Sequence, residues 1–209
     1  MPSRRAYVIS LGLLLLVGAP AAYTRWLGRS FPPDTTVEGS YLRVVLAVDN
    51  DRLEDAFAYL ETEAQWACHT TLDYHKKILD LVGSSYPEPE RAAARGRYPE
   101  AAAARDAPEL FARLARSRGW EARLRRDLSG IARVEAQGER ATLETARGTR
   151  YAFRRRDNGI WGLTMFTGEL RLEAERAARD AALVERAAAD YRAAAPAPAP
   201  SGPARRPGP

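Results

Sequence analysis

The sequence predicts an α+β protein. Its N-terminal helices pack on a four-stranded antiparallel meander, with a transmembrane or signal helix before it and a long C-terminal helix after it. Three observations carry this reading. Between residues 37 and 128, apolar residues recur every three or four positions, the period of a helix with one buried face. From Gly130 to Thr167 the chain changes to short runs rich in β-branched and aromatic residues. Gln137-Gly138, Arg147-Gly148 and Asp157-Asn158-Gly159 separate them, and Gly and Asn supply the positive φ that tight hairpins need. From Gly168 to Ala194 the helical period returns: Leu170, Ala174, Ala177, Ala181, Val184, Ala188 and Tyr191 step by four and three.

The first element is Ala6–Tyr23, 18 residues without a charge, preceded by Arg4 and Arg5 and followed by Arg25, Trp26 and Arg29. As a helix it reaches ~27 Å, enough to cross a hydrocarbon core with little tilt. Basic and aromatic flanks suit the membrane–water boundary. Two readings compete: an uncleaved signal-anchor, and a secretory signal cut at Ala19-Pro20-Ala21. The run is long for a signal and Trp26 is an unusual mature N-terminus, which favours the anchor. No Cys lies near its end, which excludes lipoprotein processing. Both readings place the body outside the cytoplasm, at the membrane or, after cleavage, secreted or periplasmic.

The division that follows is residues 1–30 as signal or anchor, 31–195 as a single domain, and 196–209 as a Pro/Ala-rich tail. Val37, Tyr41, Val44, Val45 and Val48 form one face of a first helix. Asp51 with Glu54 reads as a capping box that opens a second helix, with Leu53, Phe57 and Leu60 on its inner face. A third helix covers about 63–82 and offers Trp66, Thr70, Leu72, Ile78, Leu79 and Val82 for burial. Residues 86–128 form a helical insertion. Its first part, 87–105, is rich in Ala, Arg, Pro and Glu and is expected to pack loosely. Asp106 with Pro108 starts a further helix, with Leu110, Phe111, Leu114 and Ala115 as its core face and Gly119 as its stop. Trp120, Leu124 and Leu128 mark one more. Strands are expected at 131–135, 140–146, 151–155 and 160–167, and a helix at 168–194. That last helix docks on the domain's sheet or self-associates through 170–191, its seam spanning ~32 Å. The tail APAPAPSGPARRPGP is low-complexity, and its composition predicts an extended, disordered segment.

Charge excludes one class of partner. The net charge of the 209 residues is +5, but the first 30 carry +4 and the tail +2, leaving the body at −1. A nucleic-acid binder concentrates positive charge on its folded domain, so no nucleic-acid partner is expected. One Cys rules out an internal disulfide framework.

Residues with chemical potential are few. Cys68 and His75 share a helical face but lie ~10 Å apart along it, too far for a nucleophile–base pair. His69 points to another side. With two His and one Cys in the chain, a zinc site lacks ligands, and neither metal nor cofactor is expected. Asp73 and Asp127, and less so Asp80, are candidate bases where they meet a pocket. Trp66, Trp120, Tyr151 and Trp161 are candidate pocket-lining residues, and equally core. No Gly-rich phosphate loop, H-E-x-x-H or G-x-S-x-G occurs.

The helix, the acidic break Asp49-Asn50-Asp51, the next helix and the run ERATLETARGTRYAFRRRDNGIWGLTMF together resemble the nuclear-transport-factor-two-like (cystatin-like cone) superfamily. The resemblance covers 36–83 and 130–167 and is one of element order. The insertion and the C-terminal helix depart from it. It implies a curved sheet wrapping a helix around a pocket, in a superfamily of isomerases, dehydratases, binding modules and assembly factors, so the fold does not choose a function. The expectation is a membrane-tethered, non-enzymatic envelope module that binds a partner protein or a small apolar ligand. The alternatives are a lyase or isomerase with an Asp base in the cone, and a structural self-assembly protein.

Overall fold

The computed structural model describes residues 31–194; the charge-free run 6–23 and the tail 196–209 lie outside the described residues. The described chain is α+β, with eight α-helices and one four-stranded antiparallel sheet. Helix α1 (Val37–Asp49) starts at Thr36, whose side chain accepts from the Gly39 amide. It buries Val37, Tyr41, Val44 and Val48 of the predicted stripe, while Val45 is half-buried at its edge. The short α2 (Leu53–Ala56) runs into a 3₁₀ turn, Phe57–Tyr59, and then into the 24-residue α3 (Thr62–Ser85). Two short helices, α4 (Glu90–Arg95) and α5 (Pro99–Ala103), make up the first part of the insertion. Helix α6 (Ala107–Ser117) begins at Asp106, which accepts from the Glu109 amide as predicted, and Gly119 separates it from α7 (Trp120–Asp127).

The sheet is a meander in the order β1-β2-β3-β4, with β1 Ile131–Gln137, β2 Arg140–Thr145, β3 Arg150–Arg155 and β4 Trp161–Leu163. Gly138, Gly148 and Gly159 take positive φ at the three turns. Strand alternation places Ala141, Leu143, Thr145, Tyr151 and Phe153 inward, while Arg140, Thr142, Arg150 and Arg154 face water. That inner face, α1, α6 and α7 enclose the main core, where Tyr41, Phe111, Leu124, Leu143 and Phe153 are buried. β1 is an exposed edge strand, with an irregular register between Ile131 and Arg133.

Four expectations are corrected. Asp51 does not cap α2. It takes a φ of 57° and its carboxylate pairs with Arg125, while Arg52 stands at the helix start without a side-chain cap. The last strand is three residues, not eight. Thr164 turns the chain by accepting from the Thr167 amide, and the final helix α8 (Thr167–Ala194) begins there. Both faces of β4 are covered, as its sequence implied, because segment 60–61 lies on it: Leu60 bridges Leu163, and the Glu61 amide donates to the Leu163 carbonyl at 3.1 Å. Helix α8 docks on α3, not on the sheet. Ile78, Val82 and Tyr86 of α3 meet Ala181 and Ala188 of α8 in a second core. The helices run parallel, with Arg171–Glu63 near their starts, Lys77–Glu185 at 2.9 Å further along, and the rings of Tyr86 and Tyr191 at 4.8 Å near their ends. An amphipathic α3 is the better partner because α3 has a second apolar edge that the sheet does not use. Finally, Trp66 on α3 is not core: it is 67% exposed.

Candidate functional site

The Phe57–Tyr59 turn separates two surface clefts. One, of about 500 Å³, is lined by Thr62, Gln65, Trp66, His69, Asp73 and Arg156. Helix α3 presents Trp66, His69 and Asp73 at spacings of three and four, so all three lie on one outward face. Gln65 fixes the cleft's wall by donating to the Phe57 carbonyl at 2.8 Å, and Arg156 donates to the Ala58 carbonyl at 2.8 Å. His69 stands between Phe57 and Trp66, with ring centroids at 5.8 and 6.5 Å. The second cleft, about 620 Å³, lies across the turn against α1 and includes Arg43, Leu46, Phe57 and Tyr59. The Arg43 guanidinium sits over the rings of Phe31 and Tyr59, at 4.8 and 5.9 Å, a favourable cation–π geometry. Leu46 is half exposed. Trp66, Tyr59, Arg43 and Leu46 thus place aromatic, Arg and aliphatic groups on adjoining surfaces.

The other candidate residues are scattered. Trp120 is buried and stacks on Phe166 at 5.1 Å. Tyr151 is buried against Tyr41 at 5.7 Å, and Trp161 is 7% exposed in β4. The Tyr151 hydroxyl has no partner among the described residues; burial, with Tyr41 and Asp127 adding to it, pushes it up to about 12. These three residues fill the core, while Trp66 alone of the four lines an open cleft. Asp73 is exposed at the end of the Trp66 cleft. Asp127 is on α7, held by Arg126 at 2.8 Å. The buried acid is Glu61, which sequence reasoning missed. It accepts from the Thr167 hydroxyl and so ties the start of α3 to the start of α8. Burial pushes the Cys68 thiol up to about 12, where it is a poor nucleophile at neutral pH. Among the described residues, no group of three or more His, Cys, Asp or Glu could hold a metal ion, and no helix is long and apolar enough to cross a membrane.

A third, narrower crevice of about 200 Å³ opens where α3, α5, α6 and α8 meet. Its wall is His75, whose ring lies 4.8 Å from that of Tyr98 and whose Nδ1 is buried without a partner. Tyr98 donates to Asp180 Oδ2 at 3.2 Å. Burial pushes His75 below its ordinary value, opposed by Asp180 and Glu173 of α8 and by Glu100 of α5. The arginines of the crevice are Arg97, Arg118 and Arg176. Sequence reasoning found none of this beyond His75, because Tyr98 and Asp180 meet across 82 positions. The depressed value has a sign in stability: the unfolded chain holds the His75 proton more tightly than the folded one. The contribution is therefore complete above the unfolded value near 6.5 and is lost as pH falls from there through the lower folded value. Urea midpoints measured between about pH 5 and pH 7 should fall more steeply towards acid in wild type than in His75→Gln. Parallel slopes would show that His75 titrates alike in both states.

No family model matches the chain, and neither a curated protein nor a solved structure shows significant similarity to it.

Proposed function

We propose that the chain is a membrane-tethered, non-enzymatic module of the cell envelope that binds a partner protein, and that it is built on the element order of the cone superfamily. The observation that carries the binding role is Trp66. A Trp left 67% exposed beside an open cleft, with Tyr59 and Arg43 across the turn, presents the residue types that dominate protein–protein hot spots. A protein partner is preferred to a small apolar ligand because Trp120, Tyr151 and Trp161 are packed against neighbouring side chains. The lyase or isomerase reading has less support. Asp73 faces solvent and Asp127 is paired with Arg126, so neither sits as a lone acid in an apolar cavity. Self-association through 170–191 has less support because α3 covers much of that seam. The tether rests on the charge-free run 6–23 and its Arg flanks.

The test places a photo-crosslinking residue at position 66 of the full chain in its own cells, with position 135 on the exposed edge strand as control. The expected result is a discrete adduct from position 66 alone, recovered in the membrane fraction. Equal labelling from both positions would remove Trp66 as the docking point. A wholly soluble protein lacking the first 21 or so residues would replace the tether with secretion.

A further inference from the structure

The crevice at His75 has a composition that neither the core nor the partner surface explains. Four separate elements contribute polar groups to one space of about 200 Å³ over an apolar floor of Ala101, Leu110 and Leu114. Convergent polar groups over such a floor are the usual anatomy of a small-molecule site. At roughly 30 Å³ for each water-sized group, the space holds six or seven such groups, too few for a nucleotide or a sugar polymer and enough for a small metabolite.

The charges say which metabolite. Glu173 is already satisfied by Arg118 at 2.7 Å and Arg176 at 3.3 Å. Arg97, Glu100 and Asp180 line the same crevice and enter no ion pair among the described residues. The lining as a whole carries three Arg and three carboxylates, so it favours neither a pure anion nor a pure cation. It suits a ligand with both signs. Arg97 and the outer N–H groups of Arg118 and Arg176 offer fork donors to a carboxylate. Asp180 and Glu100 offer acceptors to an ammonium. We propose that this crevice binds a free α-amino acid with a small side chain, its carboxylate towards Arg97, its ammonium towards Asp180 and Glu100, and its side chain on Leu110 and Leu114. The site is independent of the Trp66 surface and of the membrane tether.

The probe is L-alanine, titrated against the purified full chain by equilibrium dialysis and followed in parallel by thermal shift. The expected result is one saturable site and a melting temperature that rises with alanine. L-alaninamide, which lacks the carboxylate, and N-acetyl-L-alanine, which lacks the ammonium, should each bind about tenfold or more weakly, because each leaves a charged hydrogen-bonding group without its partner. Arg97→Gln, at an exposed position, should keep the melting temperature of the free protein and lose about tenfold in affinity. Asp180→Asn should do the same to the ammonium end. If it also loosens the fold through Tyr98, Arg97→Gln decides. The proposal is overturned by no saturable binding up to about 10 mM, by equal binding of alanine and either analogue, or by undiminished affinity in Arg97→Gln.

Discussion

Gly162→Val is expected to cost about 3–5 kcal/mol, a large part of the 5–15 kcal/mol that holds an ordinary domain together. A Cβ at this position would lie 2.5 Å from the Cα of Glu61, 2.7 Å from its nitrogen and 2.9 Å from the carbonyl carbon of Leu60. All three are backbone atoms, so no side chain can rotate out of the way. Relief requires segment 60–61 to lift from β4, which breaks the hydrogen bond from the Glu61 amide to the Leu163 carbonyl and pulls Glu61 from Thr167. Urea unfolding followed by far-UV circular dichroism measures the loss. A midpoint equal to that of wild type would mean that the segment does not pack on β4.

Phe111→Ala is the second large effect, also about 3–5 kcal/mol, the range for emptying a core site of an aromatic ring. Phe111 is fully buried, with ring centroids 6.3 Å from Phe57 and 5.8 Å from Phe166. It is the point where α6, the 3₁₀ turn and the approach to α8 meet, so three elements lose a neighbour at once. The denaturant midpoint should fall with little change in slope, the mark of lost stability without altered compactness. A loss below about 1 kcal/mol would show that the surrounding side chains collapse into the space. Trp66→Ala, removing an equally large aromatic from an exposed position, should stay within about 0.5 kcal/mol of wild type.

Local chemistry was legible and long-range pairing was not. The hairpin turns at Gly138, Gly148 and Gly159 and the Asp106 cap each depend on residues within a few positions of one another, and each was read correctly. Asp51 failed because its carboxylate pairs with Arg125, 74 positions away, in preference to the local amide. The last strand was overextended because IWGLTMF is apolar throughout, and periodicity cannot mark where such a run turns into a helix start. Trp66 reads from sequence as either core or pocket-lining, because residue type alone does not say which edge of a long amphipathic helix is covered; the structure places it in the cleft and not in the core. Of the residues named from sequence as site candidates, Trp66 and Asp73 share a cleft, while Trp120, Tyr151 and Trp161 serve packing. The His75 crevice was invisible for the same reason as the Asp51 pair. Its members come from four elements, and no spacing connects them.

The pairing of α3 with α8 sets an order in time as the chain is made. Ile78, Val82 and Tyr86 leave the ribosome roughly 100 residues before Ala188 and Tyr191 can cover them, which at 5–20 residues per second is a wait of about 5–20 s. Helix formation and hydrophobic collapse take microseconds, so everything up to β4 can assemble while one flank of α3 stays bare and sticky. A ribosome stalled once Leu163 has cleared the exit tunnel would carry a nascent chain with its sheet complete and that flank open. At this stage Ile78, Val82 and Tyr86 present apolar surface to solvent and to neighbouring nascent chains, the kind of transient exposure that makes folding intermediates prone to aggregate.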